Sequence, residues 1–258
     1  MGIFMRKFKK QEWMILGLEA ALALLLIFGY KNTAAQKVDT WSGHVESGAD
    51  EKEKGIKEGK KKGEEKEEEE EMLQEKKIAI TFDDGPHPVY TEKLLDGLKD
   101  RDIKATFFVL GEKAKEHPEI IERMQEEGHI IGNHTYTHIQ LRSTNREKFR
   151  DELIRTNQVI SGITEQEVQY VRPPYGTWDK KLEEELNMFP VLWNVDPNDW
   201  CTGNTNRVTK SIVDKAKENS IILLHDCYQS SVDAALSSID ILEERGFRFV
   251  TVEEILFE

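Results

Sequence analysis

The chain has 258 residues, 38% hydrophobic and 33% charged, with a formal charge of −13 at pH 7. That length allows one large domain or two small ones, and the acidic balance argues against a nucleic-acid partner. The two cysteines, Cys201 and Cys227, have the wrong spacing for a zinc knuckle.

Residues 1–30 open with Arg6, Lys7, Lys9 and Lys10 and then run apolar from Trp13 to Tyr30, with Glu19 the only charge in the run. At about 1.5 Å per residue this run just reaches across a bilayer core, so a transmembrane anchor is expected. The basic flank predicts that the N-terminus stays in the cytoplasm. A signal peptide cleaved near Thr33-Ala34-Ala35 is the rival reading, but the run is long for a signal sequence and an uncleaved anchor is favoured. Residues 31–76 hold no core. Positions 51–71 are almost all Glu, Lys and Gly, ending in Glu67–Glu71. Such a segment buries too little apolar surface to offset the entropy of ordering, and a disordered, solvated linker is expected. Residues 77–258 are long enough for one domain with its own core.

Within that domain, short apolar runs predict strands over 77–82, 105–111, 129–134, 170–176, 189–196, 221–226 and 247–252. Helical spacing appears between them. Leu94, Leu95 and Leu98 share a face in 90–102, a helix over 118–128 starts at a proline and stops at Gly128, and Phe149, Leu153, Ile160 and Ile163 recur at helical intervals in 146–164. The alternation predicts parallel strands with helices outside, as a (β/α) barrel or a doubly wound sheet.

The reactive residue types collect where strands end. TFDDGPHP (81–88) sets Asp83 beside Asp84 before a turn. Like charges repel, so the pair is either a solvated turn or a site where a cation makes both useful. HTYTH (134–138) offers His134 and His138, which can face one ion if a helical turn or tight loop follows the strand. Asp, His and His together suit zinc or another divalent transition metal with positions left open. RPPYG (172–176) puts Arg172 at a strand end, and two prolines that lack N–H groups leave the Tyr175 N–H as a preset donor. DPNDW (196–200) adds Asp196, Asp199 and Trp200, and LLHD (223–226) adds Leu223 and His225. Each motif alone has an ordinary reading as a turn, a surface pair or a packed histidine. Five of them at five strand ends converge more easily on the rim of a closed ring than along an open sheet, which favours the barrel.

With these motifs in this order, the domain resembles the NodB-homology polysaccharide deacetylases, carbohydrate esterase family 4, over 77–258. The resemblance implies a distorted (β/α)7 barrel with one divalent metal ion, zinc foremost and cobalt, nickel or manganese as alternatives. It implies Asp84, His134 and His138 as ligands, Asp83 as general base and His225 as general acid. Arg172 would orient Asp83, and Asp199 would pair with His225. The Tyr175 N–H would serve the oxyanion, and Trp200 and Leu223 would line a pocket for the acetyl methyl. The implied reaction is hydrolytic N-deacetylation of N-acetylglucosamine residues in an extracellular polysaccharide, releasing acetate.

An anchor and spacer suit a substrate just outside the membrane. The expectation is therefore a monomer in the cell membrane, single-pass with the catalytic domain outside (secreted if the N-terminus is cleaved), acting on peptidoglycan. Chitin oligosaccharides or another secreted glycan are the alternative substrates. A small cyclic-amide hydrolase and an inactive glycan-binding module are the more distant readings. Cys201 and Cys227 both fall in rim loops, and two free thiols are expected, because cysteines can be bridged only when their Cα atoms lie within about 7 Å.

Overall fold

Strand β1 (Lys76–Asp83) runs through the middle of the fold, and its alternate residues serve different layers. Ile78, Ile80 and Phe82 join the large apolar layer under the helices, while Ala79 belongs to a smaller cluster on the other face. A strand covered on both faces reads as a largely apolar run, and β1 is apolar from Ile78 to Ile80 before Thr81 and Asp83 appear on its interior face. The computed structural model describes residues 76–257. The expected anchor over 1–30 and the linker before β1 lie outside these residues. Among the described residues, no helix is long and apolar enough to cross a membrane.

After β1 the chain alternates as anticipated. In order come α1 (Tyr90–Asp100), β2 (Thr106–Val109), α2 (Gly111–Glu116), α3 (Pro118–Glu126), β3 (Ile130–Asn133), α4 (Arg146–Thr164) and β4 (Tyr170–Val171). Then follow α5 (Lys180–Leu186), β5 (Phe189–Pro190), α6 (Thr205–Lys215), β6 (Ser220–His225), α7 (Gln229–Glu244), β7 (Phe247–Val250) and α8 (Val252–Phe257). Leu94, Leu95 and Leu98 of α1 are buried, as are Phe149, Leu153 and Ile160 of α4, whereas Ile163 is only partly covered.

All pairings are parallel, in the order β5-β4-β3-β2-β1-β6. The sheet curls. Just past β5, Val195 bridges Ile222 of β6, and the Leu223 N–H donates to the Val195 carbonyl at 2.9 Å. This curled parallel sheet with helices outside is consistent with a distorted (β/α) barrel.

The strands differ from expectation in length and order, and the expected strand over 170–176 is only Tyr170–Val171, ending just before Pro173 and Pro174. The run 189–196 forms only a two-residue strand and the Val195 bridge, and its ladder to β4 rests on the Phe189 and Val191 N–H groups, which donate to the Gln169 and Val171 carbonyls on either side of Pro190. The seventh strand does not stand between β5 and β6. It pairs with β1 at Lys76–Ala79, while β2 takes Thr81–Asp83. Ile78 and Ala79 already pair with β6, so β7 and β2 must divide the opposite edge of β1 between them.

Candidate active site

The interior-facing positions of β1 are Ala79, Thr81 and Asp83, so the strand delivers a carboxylate to its C-terminal end by period-two alternation alone. On β6 the same count brings Leu223 and His225 to the same end, where His225 is in register with Asp83. The β3 strand ends at Asn133, and His134 follows it. A cavity of about 410 Å³ opens there, lined by Asp83, Asp84, His134, His138, Tyr175, Trp200, Leu223 and His225, together with Pro173, Trp193, Asp196 and Tyr228. A cavity of similar size sits by the opposite ends of β3 and β4. It carries the buried His129 but none of the reactive residues singled out at the strand ends.

Asp84, His134 and His138 bring one ligating atom each to within 4.8 Å of the others. The Nε2 atoms of both histidines lie 3.5 Å from Asp84 Oδ1. That is too long for a good hydrogen bond, and Asp84 Oδ1 is buried with no hydrogen-bond partner. It is the separation expected between neighbouring ligands that each stand about 2.0–2.1 Å from a tetrahedral ion. His134 Nδ1 lies 2.6 Å from the Arg172 carbonyl, which can only accept, so Nδ1 carries the proton and Nε2 keeps its lone pair. Burial drives the His134 pKa down to about 3, which holds the ring neutral. With Nδ1 occupied by the carbonyl, Nε2 is left to coordinate a cation beside Asp84 Oδ1, and the three residues fit a divalent metal.

The HTYTH segment forms a tight loop rather than a helical turn, with Thr135 and His138 both at positive φ. Its backbone is held from outside. Asn133 Oδ1 accepts from the Thr135 N–H, and Glu152 Oε2 accepts from the N–H groups of Tyr136 and Thr137 at 3.0 and 2.7 Å. Glu152 was not singled out in the sequence, where it reads as one more charge on an amphipathic helix.

Asp83 faces the same space but is occupied differently. Its Oδ1 accepts from Arg172 Nη1 at 2.8 Å, while Oδ2 stands 3.7 Å from His134 Nε2. Arg172 is fully buried. It also donates to Thr81 Oγ1 and to the Val191 and Leu192 carbonyls, and its guanidinium stacks over the Phe108 ring at 4.2 Å. Burial raises the Asp83 carboxyl above the ordinary range, with Arg172 pulling the other way.

On the neighbouring strand, His225 Nδ1 lies 2.9 Å from Asp199 Oδ1, and its backbone N–H donates to Asp199 Oδ2. Burial works against the charged imidazolium. The Asp199 hydrogen bond and the charges of Asp199, Asp83 and Asp84 outweigh it and raise the pKa to about 9. The structure thus places the Asp83 carboxyl group and an Asp199-paired imidazole on one cavity beside a candidate metal-ligand set.

A polysaccharide deacetylase family model matches residues 70–191. A chitooligosaccharide deacetylase of Rhizobium leguminosarum bv. trifolii is 34% identical over 191 residues, covering 67% of this chain and 88% of that protein. The chain belongs to the polysaccharide deacetylase family. It is also similar to a peptidoglycan-N-acetylglucosamine deacetylase of Bacillus cereus, at 39% identity over 183 residues and 68% of this chain. Among solved structures it resembles the peptidoglycan deacetylase PdaC from Bacillus subtilis, with a TM-score of 0.68 and 37% identity over 70% of this chain and 90% of that one. The chain spans 66% of the length of the B. cereus protein and 39% of several other curated relatives.

Against the residues that the deacetylase resemblance implied, the structure sets eight of ten on the cavity wall and the other two, Arg172 and Asp199, directly behind Asp83 and His225. Tyr175 is left-handed at φ 61, its side chain is 66% exposed, and its ring meets His138 edge-on. Trp200 is 58% exposed. Tyr228, three residues past His225, lines the cavity but carries no sequence signal beyond being aromatic. Both cysteines are free thiols, as expected, and burial pushes Cys227 up to about 12, so it stays an S–H donor. Alkylation without reductant should therefore label two cysteines per chain once the protein is unfolded, and a single or absent adduct would contradict this.

Proposed function

We propose that this deacetylase-family domain hydrolyses the acetamide of N-acetylglucosamine residues in an extracellular polysaccharide, peptidoglycan foremost, releasing acetate. The observation that carries the reading is one cavity that gathers the Asp84, His134 and His138 group, the Arg172-held Asp83 carboxyl and the Asp199-paired His225 imidazole. The names of the B. cereus and B. subtilis relatives favour peptidoglycan. The name of the R. leguminosarum relative keeps chitin oligosaccharides as the second reading. Acetate release from a panel of purified peptidoglycan, chitin oligomers and acetylated xylan tests this. No release from any N-acetylated glycan, in protein shown to hold a metal ion, would leave an inactive glycan-binding module instead.

Asp84, His134 and His138 would hold the ion, zinc by the character of the donor set. When bound, it would polarise the acetamide carbonyl and lower the pKa of water. Asp83, held by Arg172, accepts a proton as water adds to the carbonyl carbon. The Tyr175 N–H donates to the oxygen that gains charge. His225 gives its proton to the nitrogen as the C–N bond breaks, leaving acetate and a glucosamine unit. Trp200 and Leu223 supply apolar wall for the acetyl methyl.

This division of roles sets a pH dependence. An acid with its pKa raised to about 9 is protonated through the neutral range and lost above it, so kcat/KM should fall on the alkaline side near pH 9. Asp199→Asn removes the anion that raises it, and the alkaline limb should move down toward the ordinary histidine range. A limb that stays in place in this variant would exclude His225 as its origin.

Residues 13–30 would tether the domain to the outer face of the membrane, through the charged linker. Recovery of full-length protein in the membrane fraction supports the tether, and a soluble protein beginning near Gln36 would replace it with a cleaved signal.

A further inference from the structure

Asp84 stands at φ 69, in the left-handed region that few non-glycine residues adopt, although aspartate tolerates it better than most. Strain of this kind persists only when surrounding groups over-determine it. Here they do so through the backbone. The Asp84 carbonyl accepts from Lys113 Nζ at 2.7 Å and from the Cys227 thiol at 3.2 Å, and the ammonium and the thiol lie 3.4 Å apart. One residue on, the Gly85 carbonyl accepts from the Leu110 N–H at 3.0 Å. A Cβ at Gly85 would run into the carboxylate of Asp226, which is fully buried and held by Thr91. Two segments distant in sequence, 110–113 and 226–227, therefore close on a single turn. Lys113 donates to a carbonyl and a thiol, with no carboxylate within ion-pair distance among the described residues. A charged donor on a neutral carbonyl gives one of the stronger hydrogen bonds available to a side chain.

We propose that Lys113, with Cys227 as a weaker second donor, is a positioning residue for the metal centre: it locks the Asp84 backbone so that the carboxylate faces His134 and His138. The inference rests on the reading of these three residues as ligands. Without the clamp, Asp84 relaxes toward ordinary backbone angles and its carboxylate swings away from the two imidazoles. Partners one shell out from a metal typically change affinity by about 10–100-fold when removed.

The test is zinc affinity of the full-length chain, purified in mild detergent and measured by competition with a chromophoric chelator. Lys113→Met keeps the stem and removes the donor, and should weaken zinc binding by about 10–100-fold, with helical circular dichroism unchanged. Cys227→Ala should weaken it by less, and Cys227→Ser, which keeps a donor, should stay near wild type. Affinity in Lys113→Met within about threefold of wild type, or tighter, overturns the proposal. If Lys113→Met does not fold, the Cys227 pair decides: Ala weaker than Ser supports the clamp, and equal affinities overturn it. His134→Ala is the control for the reading underneath. If it binds zinc as wild type does, the ligand assignment fails rather than the clamp.

Discussion

His225→Ala should lower kcat by about 10²–10⁴-fold, the usual contribution of a positioned proton donor, while metal content stays at the wild-type level. The reason is geometric. His225 belongs to the Asp199 pair on one side of the cavity, and none of its recorded hydrogen bonds reaches Asp84, His134 or His138. An amine leaves poorly without a proton, and the truncated side chain leaves no other acid held by Asp199. His134→Ala removes one of the three proposed protein ligands, so metal and activity should disappear together. Metal analysis alongside initial rates of acetate release separates the two. If His225→Ala lost its metal or kept most of its rate, the proton donor would have to be sought elsewhere.

Arg172→Met should be the most destabilising single change at the site. Arg172 and Asp83 are both buried and joined at 2.8 Å. Removing one partner of such a pair strands the other charge and typically costs about 3–5 kcal/mol. At about 2–4 °C per kcal/mol for a domain of this size, the melting temperature should fall by roughly 6–20 °C. The double variant Arg172→Met, Asp83→Asn strands no charge and should recover part of the loss. A double variant no more stable than the single one would show that the loss comes from the guanidinium's bonds to Thr81, Val191 and Leu192 rather than from the orphaned carboxylate.

Much of the domain was legible in the chain because its signals are local. β1 and β6 read as apolar runs since both faces of each are buried, and α1 and α4 showed their core faces by spacing. The chemistry was legible for a similar reason: each motif is a short run at a strand end, and the parallel order carries all those ends to one side. Family membership follows from the same short runs.

Tertiary structure decided what depends on partners far apart in sequence. Nothing near 247–250 says that β7 pairs low on β1 instead of standing between β5 and β6, since the choice of edge belongs to the whole sheet. The candidate ligand set rests on the 3.5 Å spacing and the orphaned Asp84 oxygen, neither of which a pair of histidines beside a turn shows in the sequence. Lys113 and Glu152 are ordinary helix charges by composition, and only folding brings one to the Asp84 carbonyl and the other to the histidine loop. The sequence alone determined which reactive groups stand at the strand ends. The fold determined how firmly each is held and in which protonation state, because burial and hydrogen bonding are set by neighbours that local pattern does not name.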